Sequence, residues 1–100
     1  MDNKHIFIFW SGRAIKGTLI IREYLQLKFS QREIDNFYLL LESFEKRVVL
    51  NPKLYPKSTK NSKFHRAVLS KQLSIFYNVS KKTIKVIAVI DNRMGYSKWP

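Results

Sequence analysis

The chain has 100 residues, 45% of them apolar and 26% charged. That composition excludes a disordered or collagen-like polymer and predicts a single domain over residues 1–100. There is no cysteine, which excludes a disulfide scaffold, a cysteine-held metal or iron–sulfur site and a thiol nucleophile, and suits a reducing compartment. Nineteen Lys and Arg against seven Asp and Glu give a net charge of +12, and the excess is uneven: residues 1–50 carry eight basic and six acidic groups, residues 51–100 eleven and one. A polyanionic or acidic partner for the C-terminal half is the expected consequence.

Residues 4–10 read as a first strand, because His5, Phe7 and Phe9 alternate with Ile6, Ile8 and Trp10. Both faces are apolar, so this strand is expected inside a sheet or covered on both sides. Ser11 is placed to cap a helix from Gly12 to about Lys28, with Ala14, Thr18, Ile21 and Leu25 as its stripe. Ser30-Gln31-Arg32-Glu33 has the form of a capping box. A second helix follows, with Ile34, Phe37, Leu41, Phe44 and Val48 on one face, and Asn51-Pro52 stops it. So short a link predicts an antiparallel helical hairpin.

Residues 51–63 hold two prolines, four lysines and no acid, a basic surface loop. Three strands are expected next, over 64–70, 72–79 and 83–91, the last two joined by a hairpin turn at Ser80-Lys81-Lys82. Residues 92–100 read as a tail. The order β-α-α-β-β-β predicts a two-layer α+β fold, with the helical hairpin packed on a mainly antiparallel four-stranded sheet.

No run of 18 apolar residues occurs, so no membrane-spanning helix is expected. The short apolar stretch 6–10 lacks a small-residue cleavage site after it, so no signal peptide is expected and the location is expected to be cytoplasmic. Gly12, Gly17 and Gly95 are scattered, which removes a glycine-rich phosphate loop. The two histidines lie sixty residues apart without a carboxylate cluster, so neither a metal nor any other cofactor is expected.

Several words in this order resemble the RelE/ParE superfamily of bacterial toxin–antitoxin systems. Phe9-Trp10-Ser11 with Ala14 is similar to the family's first strand and helix start, and Arg22-Glu23-Tyr24-Leu25 to the end of its first helix. Asn51-Pro52-Lys53-Leu54-Tyr55-Pro56 is similar to the segment after its second helix. Phe64-His65-Arg66-Ala67-Val68-Leu69 with Leu73-Ser74-Ile75-Phe76-Tyr77-Asn78-Val79 resembles its central hairpin. Ile87-Ala88-Val89-Ile90-Asp91-Asn92-Arg93 resembles its last strand. The match runs over roughly residues 5 to 96.

The resemblance implies a toxin neutralised by a cognate antitoxin protein, with no membrane and no small-molecule cofactor involved. RelE-like members cut mRNA on the ribosome, and ParE-like members bind and poison DNA gyrase. The strongly basic C-terminal half favours the ribosome and its mRNA as target, through metal-independent, ribosome-dependent endoribonuclease activity. Where RelE-like members carry two lysines and an arginine, this chain has His65, Ala67 and Ser74, which motivates the gyrase alternative.

RNA cleavage needs a base for the 2′-hydroxyl, a cation for the phosphate and an acid for the leaving oxygen. Arg66 and Arg93 are candidates to clamp the phosphate, and His65 and Tyr96 to move protons. Lys53, Lys57, Lys60, Lys63, Lys81, Lys82 and Lys85 are candidate contacts to RNA or partner. An acidic antitoxin, partly disordered alone, is expected to meet these cations and to set apolar side chains against Tyr38 and Leu39.

Overall fold

The computed structural model describes residues 6–94 together with 99 and 100. In chain order it has β1 (Phe7–Trp10), α1 (Gly12–Lys28), α2 (Gln31–Leu50), β2 (His65–Val68), β3 (Leu73–Ser80) and β4 (Thr83–Asp91), then a 3-10 turn over Asn92–Met94. The strands form one sheet in the order β1-β4-β3-β2, antiparallel except for the parallel β1–β4 pair. This is the two-layer α+β arrangement expected from the sequence.

Both helices lie on one face of the sheet, here called the inner face. Ala14, Ile21 and Leu25 of α1 and Ile34, Phe37, Leu41, Phe44 and Val48 of α2 are buried in one cluster with Ala67, Leu73, Ile75, Tyr77, Ile84, Val86 and Val89 of the sheet. Burial of the Val, Leu, Ile and Phe side chains among them stabilises by about 1.5–3 kcal/mol each. Aromatic rings close the centre: Phe44 and Tyr77 meet edge to face at 5.5 Å, and Tyr55 packs on both.

Ser11 caps α1 as expected. Its Oγ accepts from the Ala14 N–H at 3.0 Å and donates to the Ile87 carbonyl at 3.1 Å, which fastens the start of the helix to β4. The capping box at Ser30 does not form. Ser30 precedes α2, but its side chain makes no cap hydrogen bond, and the Glu33 carboxylate, which would supply the reciprocal half of the box, turns instead to Arg93.

The first strand also differs from expectation. It is an edge strand paired on one side only, and helices cover only its inner face. Ile8 and Trp10 pack on the core, while Phe7 on the outer face is 64% exposed. The loop 51–63 is pinned to the free edge of β2 rather than standing away from it. Arg66 N–H donates to the Pro56 carbonyl at 2.8 Å, Ser58 N–H to the Phe64 carbonyl at 2.7 Å, and Lys57 bridges to His65. The two-residue turn Lys81-Lys82 joins β3 to β4, with Ser80 paired to Thr83.

Candidate functional site

Alternation along a strand sends successive side chains to opposite faces, and this decides what the cationic residues can do. His65 faces inward. Its ring stacks on Tyr77 at 5.1 Å and 17°, and its Nδ1 lies 2.7 Å from the Tyr55 carbonyl. A carbonyl oxygen only accepts, so Nδ1 carries the proton and donates. Next along the chain, Arg66 faces outward, with its guanidinium carbon 4.2 Å from the ring centroid of Trp99.

Arg93 sits just past the end of β4, on the inner side. It donates through Nε and Nη2 to the two carboxylate oxygens of Asp91 at 3.1 and 2.8 Å, and through Nη1 to Glu33 at 2.9 Å. Its guanidinium lies 4.9 Å from the Phe29 ring centroid, and its carbonyl accepts from the Tyr24 hydroxyl at 2.8 Å. The end of α1, the start of α2 and the end of β4 are thereby tied together. The hydrogen bonds to Asp91 do most to raise the Arg93 pKa above its ordinary value, against the cost of partial burial.

The expected clamp of one phosphate by Arg66 and Arg93 is therefore not assembled. The two arginines lie on opposite faces, and Arg66 pairs with Phe76 three residues along β3 from Leu73, the partner of Asp91. Nor does His65 join Arg66, because neighbours on a strand diverge. Tyr96 lies outside the described residues.

The outer face of the sheet does gather chemistry around Arg66. Phe76 points outward yet is buried, because Trp99 returns over the sheet and packs on it at 5.2 Å. Lys60 from the pinned loop donates through Nζ to the Trp99 carbonyl at 3.0 Å. Among the described residues, the buried Nε of Arg66 has no hydrogen-bond partner. Arg66, Trp99 and Lys60 thus form a cationic and aromatic platform, a combination that suits a base and its phosphate. Trp99 reads from sequence as a packing residue in a tail; which residues it packs on depends on a long-range return that local pattern does not encode.

The candidate lysines are all exposed. Lys53, Lys57, Lys60 and Lys63 are exposed along the loop beside β2, Lys81 and Lys82 at the β3–β4 turn, and Lys85 on β4. Lys85 lies 5.9 Å from the Phe9 ring centroid. Among the described residues, no group of three or more His, Cys, Asp or Glu is placed to hold a metal ion, and no helix is long and apolar enough to cross a membrane.

Solved structures with this arrangement include toxins and toxin–antitoxin complexes. A chain of the chromosomal ParDE toxin–antitoxin system of P. aeruginosa matches with a TM-score of 0.72 and 12% identity, over 89% of this chain and 98% of that one. The YoeB/ParE toxin from Agrobacterium tumefaciens matches with a TM-score of 0.60 and 12% identity, over 86% and 98%. A chain of the DinJ–YafQ complex of E. coli matches with a TM-score of 0.56 and 12% identity, over 93% and 100%. The fold is that of the RelE/ParE-like toxins. Sequence comparison finds no matching family profile and no matching curated protein, so the likeness is one of fold. It spans ParE, YoeB and YafQ types alike.

Proposed function

We propose that this protein is the toxin of a toxin–antitoxin pair, held inactive by a cognate antitoxin, and that it poisons a macromolecular target by binding rather than by cutting RNA. The target class on this reading is DNA gyrase, as for ParE-like toxins. One observation carries the choice: His65 and Arg93, two of the groups suited to RNA chemistry, are turned to the helix side and held there by Tyr55, Tyr77, Asp91 and Glu33. A general acid or base must reach the proton it moves and a clamping cation must reach its phosphate; on this reading His65 and Arg93 serve the fold instead.

A second reading is ribosome-dependent mRNA cleavage, and the Arg66–Trp99–Lys60 platform favours it. On that reading Arg66 holds the phosphate, the exposed lysines of the loop and the β3–β4 turn hold the RNA backbone, and Tyr96 is the remaining proton carrier. The two readings part in one pair of assays with purified protein. Inhibition of gyrase supercoiling, with intact mRNA in a translating extract, is the expected result. mRNA cut within the ribosome, in a manner that Arg66→Ala abolishes, would establish the second reading and remove the first.

A further inference from the structure

We propose that the groove between α1 and α2 takes a basic amphipathic helix of the antitoxin, one that presents Lys and Arg flanking an apolar stripe. The proposal rests on the toxin–antitoxin reading and reverses the charge expected of the partner at this one surface.

The groove has a volume of about 770 Å³. Ile15 and Leu19 of α1 and Tyr38 and Leu39 of α2 form its apolar walls, and Leu19 and Leu39 are 57% and 61% exposed. Neither pair belongs to the core stripe of its helix. On α1, Ala14, Ile21 and Leu25 face the sheet, while Ile15 and Leu19 look away from it. A helix with apolar residues on more than its core face is one that a neighbour covers.

Charge identifies the neighbour. Asp35, Glu42 and Glu45 line the groove, three of the seven acids in the chain. No Lys or Arg lines it among the described residues, although the chain has nineteen. The helix dipole does not account for this, since Glu42 and Glu45 lie in the C-terminal half of α2, where the dipole disfavours acids. Glu45 is fixed toward the groove by the Trp10 indole N–H, which donates to it at 2.8 Å. The acids therefore form a local negative rim on a strongly positive molecule.

A second copy of the chain does not suit this rim. A two-fold pair built on the same patch sets acids against acids, and like charges across an interface oppose association. A helix with Lys and Arg beside an apolar stripe meets both the walls and the rim. Residues 35 to 45 of α2 span about 15 Å, close to three helical turns, so apolar anchors at i, i+3 or i+4 and i+7 of the occupant would fill the groove. An acidic stretch of the same partner remains free to meet the lysines of the outer sheet face.

The test is titration of the purified chain with the protein encoded by the reading frame beside its gene. Wild type, Leu39→Asp and the double variant Asp35→Lys/Glu42→Lys are compared, each first shown to melt as wild type does, since these side chains are exposed. Each variant is expected to bind about tenfold more weakly, and Lys→Glu changes in the partner helix are expected to restore the double variant. Binding by both variants unchanged from wild type overturns the groove assignment and leaves the toxin–antitoxin reading standing. Tighter binding by the double variant overturns the basic occupant. Self-association of the free chain that Leu39→Asp abolishes assigns the groove to a second copy instead. No complex with wild type overturns the toxin–antitoxin reading itself, and this proposal with it.

Discussion

Arg93 joins three elements through two carboxylates of unequal burial. The Asp91 side chain is fully buried and that of Glu33 is 39% exposed, so the two arms of the knot carry different weight. Arg93→Ala would leave a buried carboxylate without its cation, which costs about 3 kcal/mol. Glu33→Ala removes a partly solvated partner and should cost under about 1 kcal/mol. Urea unfolding of both variants measures this, and equal losses would contradict the assignment.

Tyr77 gives a pH signature. Burial is the main cause that lifts its pKa from 10.0 to about 12, and its hydroxyl donates to the Pro52 carbonyl at 2.9 Å. Between pH 10 and 12 the unfolded chain releases a proton that native Tyr77 keeps. Its contribution is thus complete below pH 10 and falls by about 1.4 kcal/mol per pH unit up to pH 12. Tyr77→Phe should cost about 1 kcal/mol at neutral pH and show a shallower alkaline decline than wild type in urea midpoints at pH 8 and 11.5. Parallel declines would exclude Tyr77 as the source. Residue types suited to RNA chemistry were legible in the sequence at His65, Arg66 and Arg93, but their directions were not. The period-two rule shows that His65 and Arg66 diverge, while which of them meets the helices depends on the pairing of His65 with Tyr77.

At the level of elements, the two helix starts make opposite predictions although both carry serine. Ser11→Ala removes a cap and a tie to β4, a loss of about 1 kcal/mol or slightly more. Ser30→Ala removes no side-chain cap bond and should leave the melting temperature nearly unchanged. Thermal melts of the two variants check the contrast, and an equal drop would contradict it. Helix positions and core stripes were readable from spacing because a 3.6-residue period survives any tertiary context. The three later strands were readable within a few residues. The edge position of β1 was not, because an apolar strand looks alike wherever it pairs. The failed capping box has the same origin: a local motif lost its Glu33 to a residue sixty positions away.

At the scale of the molecule, charge is arranged by surface. Lys60 joins Arg66 and Trp99 on the outer sheet face and Lys85 lies beside Phe9, while acids line the helical groove. The uneven composition of the two halves was visible in the sequence and pointed to an anionic partner. The acidic groove was hidden, because Asp35, Glu42 and Glu45 gain meaning only once Ile15 and Leu19 stand opposite them. Trp99 likewise acquires a role only when the sheet places Phe76 and Arg66 beneath it. If Trp99 shields Phe76, then Trp99→Ala should uncover that ring and increase binding of a hydrophobic dye at unchanged secondary structure. An unchanged dye signal would contradict the shielding role.

The central claim is that the protein arrests growth by binding its target and is relieved by a cognate partner. The most direct measurement is induced expression in a bacterium, alone and together with the adjacent reading frame, with pulses of labelled methionine and thymidine. Thymidine incorporation is predicted to fail before methionine incorporation, and co-expression of the partner to restore both. Methionine incorporation that collapses first, with cleaved mRNA, would contradict the binding mechanism, and growth untouched by induction would contradict the toxin assignment itself.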